Sequence, residues 1–158
     1  MSDNEILEGI KKYFCIEEFV SKEVVRMYGE NSWQFLDIRM LHNLLIIREE
    51  LDSSITINDW KWGGKFSQRG LRENTCQMSS EKTKSDKLYL SAHTMGRAID
   101  FDVAGMTAEK VRFWIKDNHF KLPYKVRLEN EMNGKQISWV HLDTFSNKKN
   151  PHVYLFNI

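Results

Sequence analysis

The hydrophobic periodicity of this chain changes from helical spacing to strand alternation, and that change restricts the fold more than any other feature. Ile6, Ile10 and Phe14 recur every four residues, the spacing of one helix face. Residues 97–103 instead alternate small and acidic residues with apolar ones, as a strand with one buried face does. This order predicts an α+β fold, in which a helical N-terminal half packs on a small, mostly antiparallel sheet.

Capping residues mark three further predicted helices. Ser21 is expected to cap a short helix that Gly29 ends. Ser32 precedes the apolar-rich residues 33–51, which are predicted to form the central core helix. Residues 107–118 are predicted to form another helix, capped by the threonine at its start.

A β-hairpin is predicted around Asn133-Gly134, because both residues of this pair tolerate the positive φ of a tight turn. Its strands would be residues 124–131 and 136–144. The segment 59–88 holds tryptophans, glycines and a polar run, and it is predicted to be a long functional or flexible loop. Two shorter strands are predicted at residues 54–58 and 152–156.

Length and charge limit the domain organisation and the partners. The 158 residues are expected to form a single domain, 1–158. A formal net charge of +1 lacks the basic excess of a nucleic-acid-binding protein. The chain has neither a membrane-spanning apolar run nor a secretory signal, so we expect cytoplasmic synthesis and no membrane partner. Cys15 and Cys76 are predicted to be free thiols.

Two segments, S-A-H-T-M-G-R-A-I-D at residues 91–100 and W-V-H-L-D at residues 139–143, hold a candidate metal site. A catalytic zinc typically takes three protein ligands from His, Asp and Glu and keeps a fourth position for water. His93, Asp100 and His141 would supply such a set. A histidine on a strand is more often a core or surface residue, so spacing alone leaves both interpretations open.

The first segment resembles the S-x-H-x-x-G-x-A-x-D signature of the Hedgehog/D-Ala-D-Ala peptidase fold, and the second resembles the second ligand strand of that family. The family includes zinc D,D-carboxypeptidases, D,D-dipeptidases and bacteriophage endolysins. The resemblance implies that His93, Asp100 and His141 bind Zn²⁺. It also implies that Ser91 and Gly96 support the turn between the first two ligands.

The resemblance further implies a substrate-binding arginine upstream of the first ligand. Arg69 and Arg72 are the candidates, and Arg72 better matches the G-x-R ending of the family pattern, although either could be a surface residue. Asp143 follows the second histidine by two residues on the same strand face and is predicted to orient its imidazole. Asp102 follows Asp100 by two residues in the same way and is a second candidate for supporting a ligand. The alternative for Asp102 is a surface position or a salt bridge.

The chain departs from the family at the general base. Several branches have a glutamate three residues before the second histidine, where this chain has Ser138, which cannot accept a proton at neutral pH. Counting outward from the Asn-Gly turn places Glu129 opposite Ser138. Glu129 is therefore the predicted base, with solvated hairpin charges at Glu129 and Glu131 as the alternative.

These features predict a zinc metallopeptidase that cleaves the peptide part of bacterial peptidoglycan, as a D,D-carboxypeptidase or an endopeptidase. Without an export signal, it would suit a phage enzyme that acts on the cell wall together with virion or lysis components. The alternative is a zinc-binding structural or virion protein of the same fold that has lost catalysis, and Ser138 favours that alternative.

Overall fold

The computed structural model describes residues 1–84, 88–146, 149 and 151–158. Over these residues, five α-helices accompany a mixed five-stranded sheet, which confirms the α+β class. None of the helices in this described part is long and apolar enough to cross a membrane. The helices are α1 (Asp3–Lys11), α2 (Lys22–Tyr28), α3 (Ile38–Leu51), α4 (Gln77–Thr83) and α5 (Ala108–Asp117). The strands are β1 (Ile55–Thr56), β2 (Ala98–Val103), β3 (Val126–Met132), β4 (Lys135–Asp143) and β5 (Val153–Asn157).

Two of the predicted helix caps are confirmed, and one is wrong. The hydroxyls of Ser21 and Thr107 accept hydrogen bonds from the backbone of the first turns of α2 and α5. Ser32 does not cap the central helix, because Gly29–Phe35 form a 3-10 helix and the chain then becomes extended. Helix α3 begins after Asp37, whose carboxylate accepts from the backbone N–H of Arg39.

The segment 59–88, predicted to be a loop, contains regular structure. Trp60–Trp62 form a 3-10 helix, and α4 begins after Cys76, whose sulfur accepts from Ser79 N. Among the residues of α4, only Ser79 is buried, so this helix has no apolar stripe that a periodicity analysis could detect. Residues 85–87 of the predicted loop lie outside the described residues. Both cysteines are free, as predicted.

The sheet has the strand order β1-β2-β4-β3-β5. All neighbouring pairs are antiparallel except β3 and β5, so the predicted mostly antiparallel sheet is confirmed. On β2, Ile99, Phe101 and Val103 belong to the same buried core as the apolar residues of α1 and α3. Because side chains alternate along a strand, Asp100 projects from the opposite face. One face therefore supports the fold, and the other is available for chemistry.

The hairpin register departs from the prediction at its outer end. Met132 pairs with Lys135 and Glu131 with Gln136, as predicted, but Glu129 pairs with His141 and not with Ser138. Between these pairs, β4 contributes four residues, 137–140, and β3 contributes only Asn130. The expectation that Glu129 faces Ser138 is wrong, because counting from the turn assumes an uninterrupted ladder.

Arg112 of α5 stabilises this irregular stretch of β4. Its guanidinium donates to the carbonyl oxygens of Trp139 at 2.9 Å and Ile137 at 3.3 Å. The side chain is almost fully buried. These hydrogen bonds give partners to two backbone acceptors in the interrupted part of the ladder, and an unpaired buried acceptor would be costly.

Candidate metal centre

One row of side chains crosses three strands on the face opposite the core. Asp100 on β2 lies directly opposite His141 on β4, and His141 lies directly opposite Glu129 on β3. Directly opposed residues project from the same face with Cβ atoms about 5 Å apart. His93 joins the row from the turn before β2. The fold thus brings the three predicted ligands together with the predicted base.

The distances between the three ligand atoms suit a small metal ion. His93 Nε2 lies 3.3 Å from both His141 Nδ1 and Asp100 Oδ1. His141 Nδ1 lies 2.8 Å from the same carboxylate oxygen. In a tetrahedral zinc site with bonds of about 2.0–2.1 Å, neighbouring ligand atoms are about 3.3 Å apart. All three side chains are buried, so this group can hold a metal ion.

The outer nitrogens of both rings have hydrogen-bond acceptors. His93 Nδ1 lies 2.8 Å from the carbonyl oxygen of Gly70, and His141 Nε2 lies 3.0 Å from Asp143 Oδ2. A proton on each outer nitrogen donates to its acceptor and leaves the lone pair of the inner nitrogen for the metal. Asp143 therefore contacts His141, the candidate ligand that it was predicted to orient.

A residue that sequence reasoning missed holds Asp143 in place. Arg127 donates to both carboxylate oxygens of Asp143, at 2.8 Å and 2.9 Å. Its guanidinium lies 5.4 Å from the ring centre of Phe145 and 4.8 Å from that of Phe156. Arg127 precedes Glu129 by two residues on the same strand face, but only the true register places it opposite Asp143.

The two candidate arginines occupy different positions. Arg72 Nη2 lies 2.9 Å from Asp100 Oδ2, the carboxylate oxygen that does not face the histidines. Arg69 Nη1 lies 2.5 Å from Asp102 Oδ2, and only the backbone carbonyl of Arg69 contacts a candidate ligand, accepting from Asp100 N at 2.7 Å. Asp102 is therefore in a salt bridge, the alternative considered for it, and contacts neither ligand histidine. Of the two arginines, Arg72 is the one at the candidate centre.

Glu129 is a buried carboxylate with an unpartnered oxygen. Its side chain is only 4% exposed, and its Oε1 has no hydrogen-bond partner among the described residues. Burial raises the pKa of Glu129, and nearby Asp100 adds to this increase. Glu129 and the three candidate ligands line a cavity of about 560 Å³. The alternative of a solvated charge at Glu129 is therefore wrong. Ser138, by contrast, is exposed.

The turn that carries His93 is stabilised by its own polar residues. Ser91 Oγ accepts a hydrogen bond from Thr94 N, and Thr94 Oγ1 accepts one from Ser91 N. Ser91 lines the cavity, and these hydrogen bonds hold the turn rather than a ligand side chain. Gly96 has φ +64°, and its carbonyl accepts from Asp37 N at 2.9 Å. The turn is thereby fixed to the start of α3.

Replacing Gly96 by alanine is expected to destabilise the protein. A Cβ there would lie 1.8 Å from the carbonyl oxygen of Phe35, in addition to the cost of positive φ. We expect the free energy of unfolding in urea to fall by about 3 kcal/mol or more. Gly105→Ala is the matched control, since Gly105 has φ +75° and no atom of the described residues lies within 4 Å of its Cβ position, and it should cost about 1–2 kcal/mol. Equal losses in the two variants would contradict the predicted clash.

The protonation states of the three candidate ligands differ. Burial lowers the pKa of His93, which favours the neutral ring. Burial raises the pKa of Asp100, but the two histidines lower it more, so this carboxylate stays ionised. Burial lowers the pKa of His141, but hydrogen bonds to Asp100 and Asp143 raise it more, to about 9. Near neutral pH, His141 is thus the ligand that must lose a proton before it can bind a metal ion.

Metal affinity is accordingly expected to depend on pH. Because the raised pKa of His141 lies at about 9, protons compete with the metal below that value. The apparent affinity for Zn²⁺ should rise about tenfold per pH unit between about pH 7 and 8.5 and level off higher. A competition titration with a fluorescent chelator would measure this slope. Constant affinity over this range, after correction for the chelator, would show that His141 does not release a proton to the metal.

Comparisons of the chain with protein-family models, curated proteins and solved structures gave no match in any of the three.

Proposed function

We propose that this protein is a zinc-dependent peptidase that cleaves the peptide part of bacterial peptidoglycan. The observation that carries the proposal is the buried His-Asp-His group beside Glu129, whose Oε1 has no partner among the described residues, in one cavity. The choice of peptidoglycan rests on the resemblance of residues 91–100 and 139–143 to zinc peptidases of bacterial cell walls.

The donor set supports zinc as the metal. Two imidazole nitrogens and one carboxylate oxygen are borderline ligands that zinc accepts, whereas calcium and magnesium prefer oxygen ligands alone. Three protein ligands also leave one position open, as in catalytic zinc sites. His93, Asp100 and His141 would hold the ion.

Glu129 is the proposed general base. A zinc ion held by the His-Asp-His group would act as a Lewis acid on the scissile carbonyl and on the attacking water. Glu129 would take a proton from that water and deliver it to the leaving amine nitrogen. Its raised pKa brings it closer to neutrality, where a carboxylate can both accept and return a proton. The proposed base thus comes from β3, in place of the family position that Ser138 occupies.

Arg72 and Asp143 would support the ligands. Arg72 holds the outer oxygen of Asp100, so that the other oxygen faces the histidines. Asp143, itself held by Arg127, accepts from His141 Nε2 and orients the ring. Arg72 also lines the cavity, where its remaining N–H groups would bind a carbonyl oxygen of the peptide.

The proposal is tested by turnover on purified peptidoglycan. Zinc-loaded protein should generate new amino groups, and a chelator should stop the reaction until zinc is restored. Metal content is measured on the same samples. Zinc bound by the protein without any peptide cleavage would contradict the proposal and support a structural or virion protein that keeps the metal.

A further inference from the structure

A second cavity adjoins the first at the candidate metal centre. The main cleft, of about 560 Å³, contains the ligands, Glu129 and Phe156. The side cleft, of about 300 Å³, is lined by residues of the segment 65–69. Both volumes fall in or near the range of ligand-binding sites, about 300–1,000 Å³. The two clefts share four lining residues, Arg72, Met78, Asp100 and Trp139.

We infer that this protein cleaves internal peptide bonds, with the substrate chain passing across Asp100 and occupying both clefts. This inference rests on the proposed peptidase function and names its substrate class. An enzyme that releases single terminal residues needs little space on one side of its reacting group. Here the candidate ligand Asp100 lines two adjoining clefts, each of useful size.

Gln68 lines the side cleft and has a side-chain oxygen without a partner among the described residues. This oxygen is buried. A buried acceptor without a partner is costly, which points to a ligand N–H as its missing partner. The backbone around it is well held, because Arg72 Nε donates to Gln68 O at 2.8 Å and Arg69 N donates to Asn58 Oδ1 at 2.9 Å. The side-chain oxygen of Gln68 is therefore an available acceptor for a peptide N–H, on a backbone that these hydrogen bonds hold.

The arginines of the side cleft already have carboxylate partners. Arg69 pairs with Asp102 and lies 3.5 Å from the ring centre of Phe66, and Arg72 pairs with Asp100. Lys65, the other cation lining this cleft, is exposed. Capture of a terminal carboxylate typically uses a cation that presents two donors to it. The apolar ring of Phe66 and the acceptor of Gln68 instead suit an uncharged continuation of the peptide chain.

The products formed from purified peptidoglycan distinguish the two kinds of cleavage. Mass spectrometry of a zinc-loaded digest should show peptide fragments cut at internal bonds and no build-up of free alanine. Gln68→Leu should raise KM for peptidoglycan fragments about tenfold, the loss of one buried hydrogen bond, with unchanged zinc content. Gln34→Leu, at an exposed position, should match the wild type. Free alanine as the main product, or an unchanged KM in Gln68→Leu, would overturn the inference.

A binding measurement keeps the inference separate from the proposed function. The probe is a hexa-alanine peptide of alternating D and L residues, acetylated at one end and amidated at the other. With zinc-loaded Glu129→Gln protein, it should shift the backbone NMR signals of Ser67 and Gln68 as well as that of Phe156. Shifts at Phe156 alone, or no shift at all, would overturn the inference. Shifts in both clefts without any peptidoglycan cleavage by the wild type would uphold the two-sided cleft and reject the proposed peptidase.

Discussion

Replacement of His141 by alanine should lower the affinity for zinc by more than about 100-fold and abolish peptide cleavage. Loss of a group that only orients a ligand costs about 10–100-fold in metal affinity, and loss of the ligand itself should cost more. His141 lies between Asp100 and Asp143, at 2.8 Å and 3.0 Å, so its removal also leaves two buried carboxylates facing each other. Isothermal titration with zinc and the peptidoglycan assay measure the two effects.

His152→Ala is the matched control for this experiment. His152 is half-buried and, like His141, engaged in a hydrogen bond, here to the carbonyl oxygen of Leu122, but it does not belong to the ligand group. The His152→Ala variant should keep the wild-type zinc affinity and activity. If His141→Ala still bound zinc with wild-type affinity while folded, as judged by circular dichroism, the assignment of His141 as a ligand would be wrong.

Glu129→Gln should reduce kcat by about 10²- to 10⁴-fold, the usual contribution of a general base, and leave zinc bound. Glutamine keeps the shape of the side chain but cannot accept the proton. The variant should also be at least as stable as the wild type at neutral pH without metal. Burial raises the pKa of Glu129, so its charged form opposes folding above that pKa, and glutamine removes this charge. The stability difference should shrink as the pH falls and the wild-type carboxyl becomes protonated.

Glu131→Gln supplies the control on the same hairpin. Glu131 is only partly buried, and its carboxylate oxygens contact the side-chain amides of Asn130 and Asn157 rather than the candidate centre. The kcat of Glu131→Gln should equal that of the wild type. Wild-type turnover by zinc-loaded Glu129→Gln would remove Glu129 from the mechanism and require another base.

Much of the architecture could be predicted from local patterns. Caps at Ser21 and Thr107, the apolar alternation of β2 and the Asn133-Gly134 turn are each set by interactions within a few residues. The polar helix α4 escaped prediction because it buries almost nothing. The specific Hedgehog/D-Ala-D-Ala peptidase fold stays a prediction.

The amino-acid sequence by itself determined which residue types are available for a metal, since His93, Asp100 and His141 belong to two recognisable segments. Only the tertiary structure decided what surrounds them. Glu129 lies opposite His141 because the β3–β4 ladder is interrupted, and Arg112, from another element, donates to two β4 carbonyls within that interruption. An interruption of this kind depends on contacts between residues distant in sequence, so no count along one hairpin could have located it.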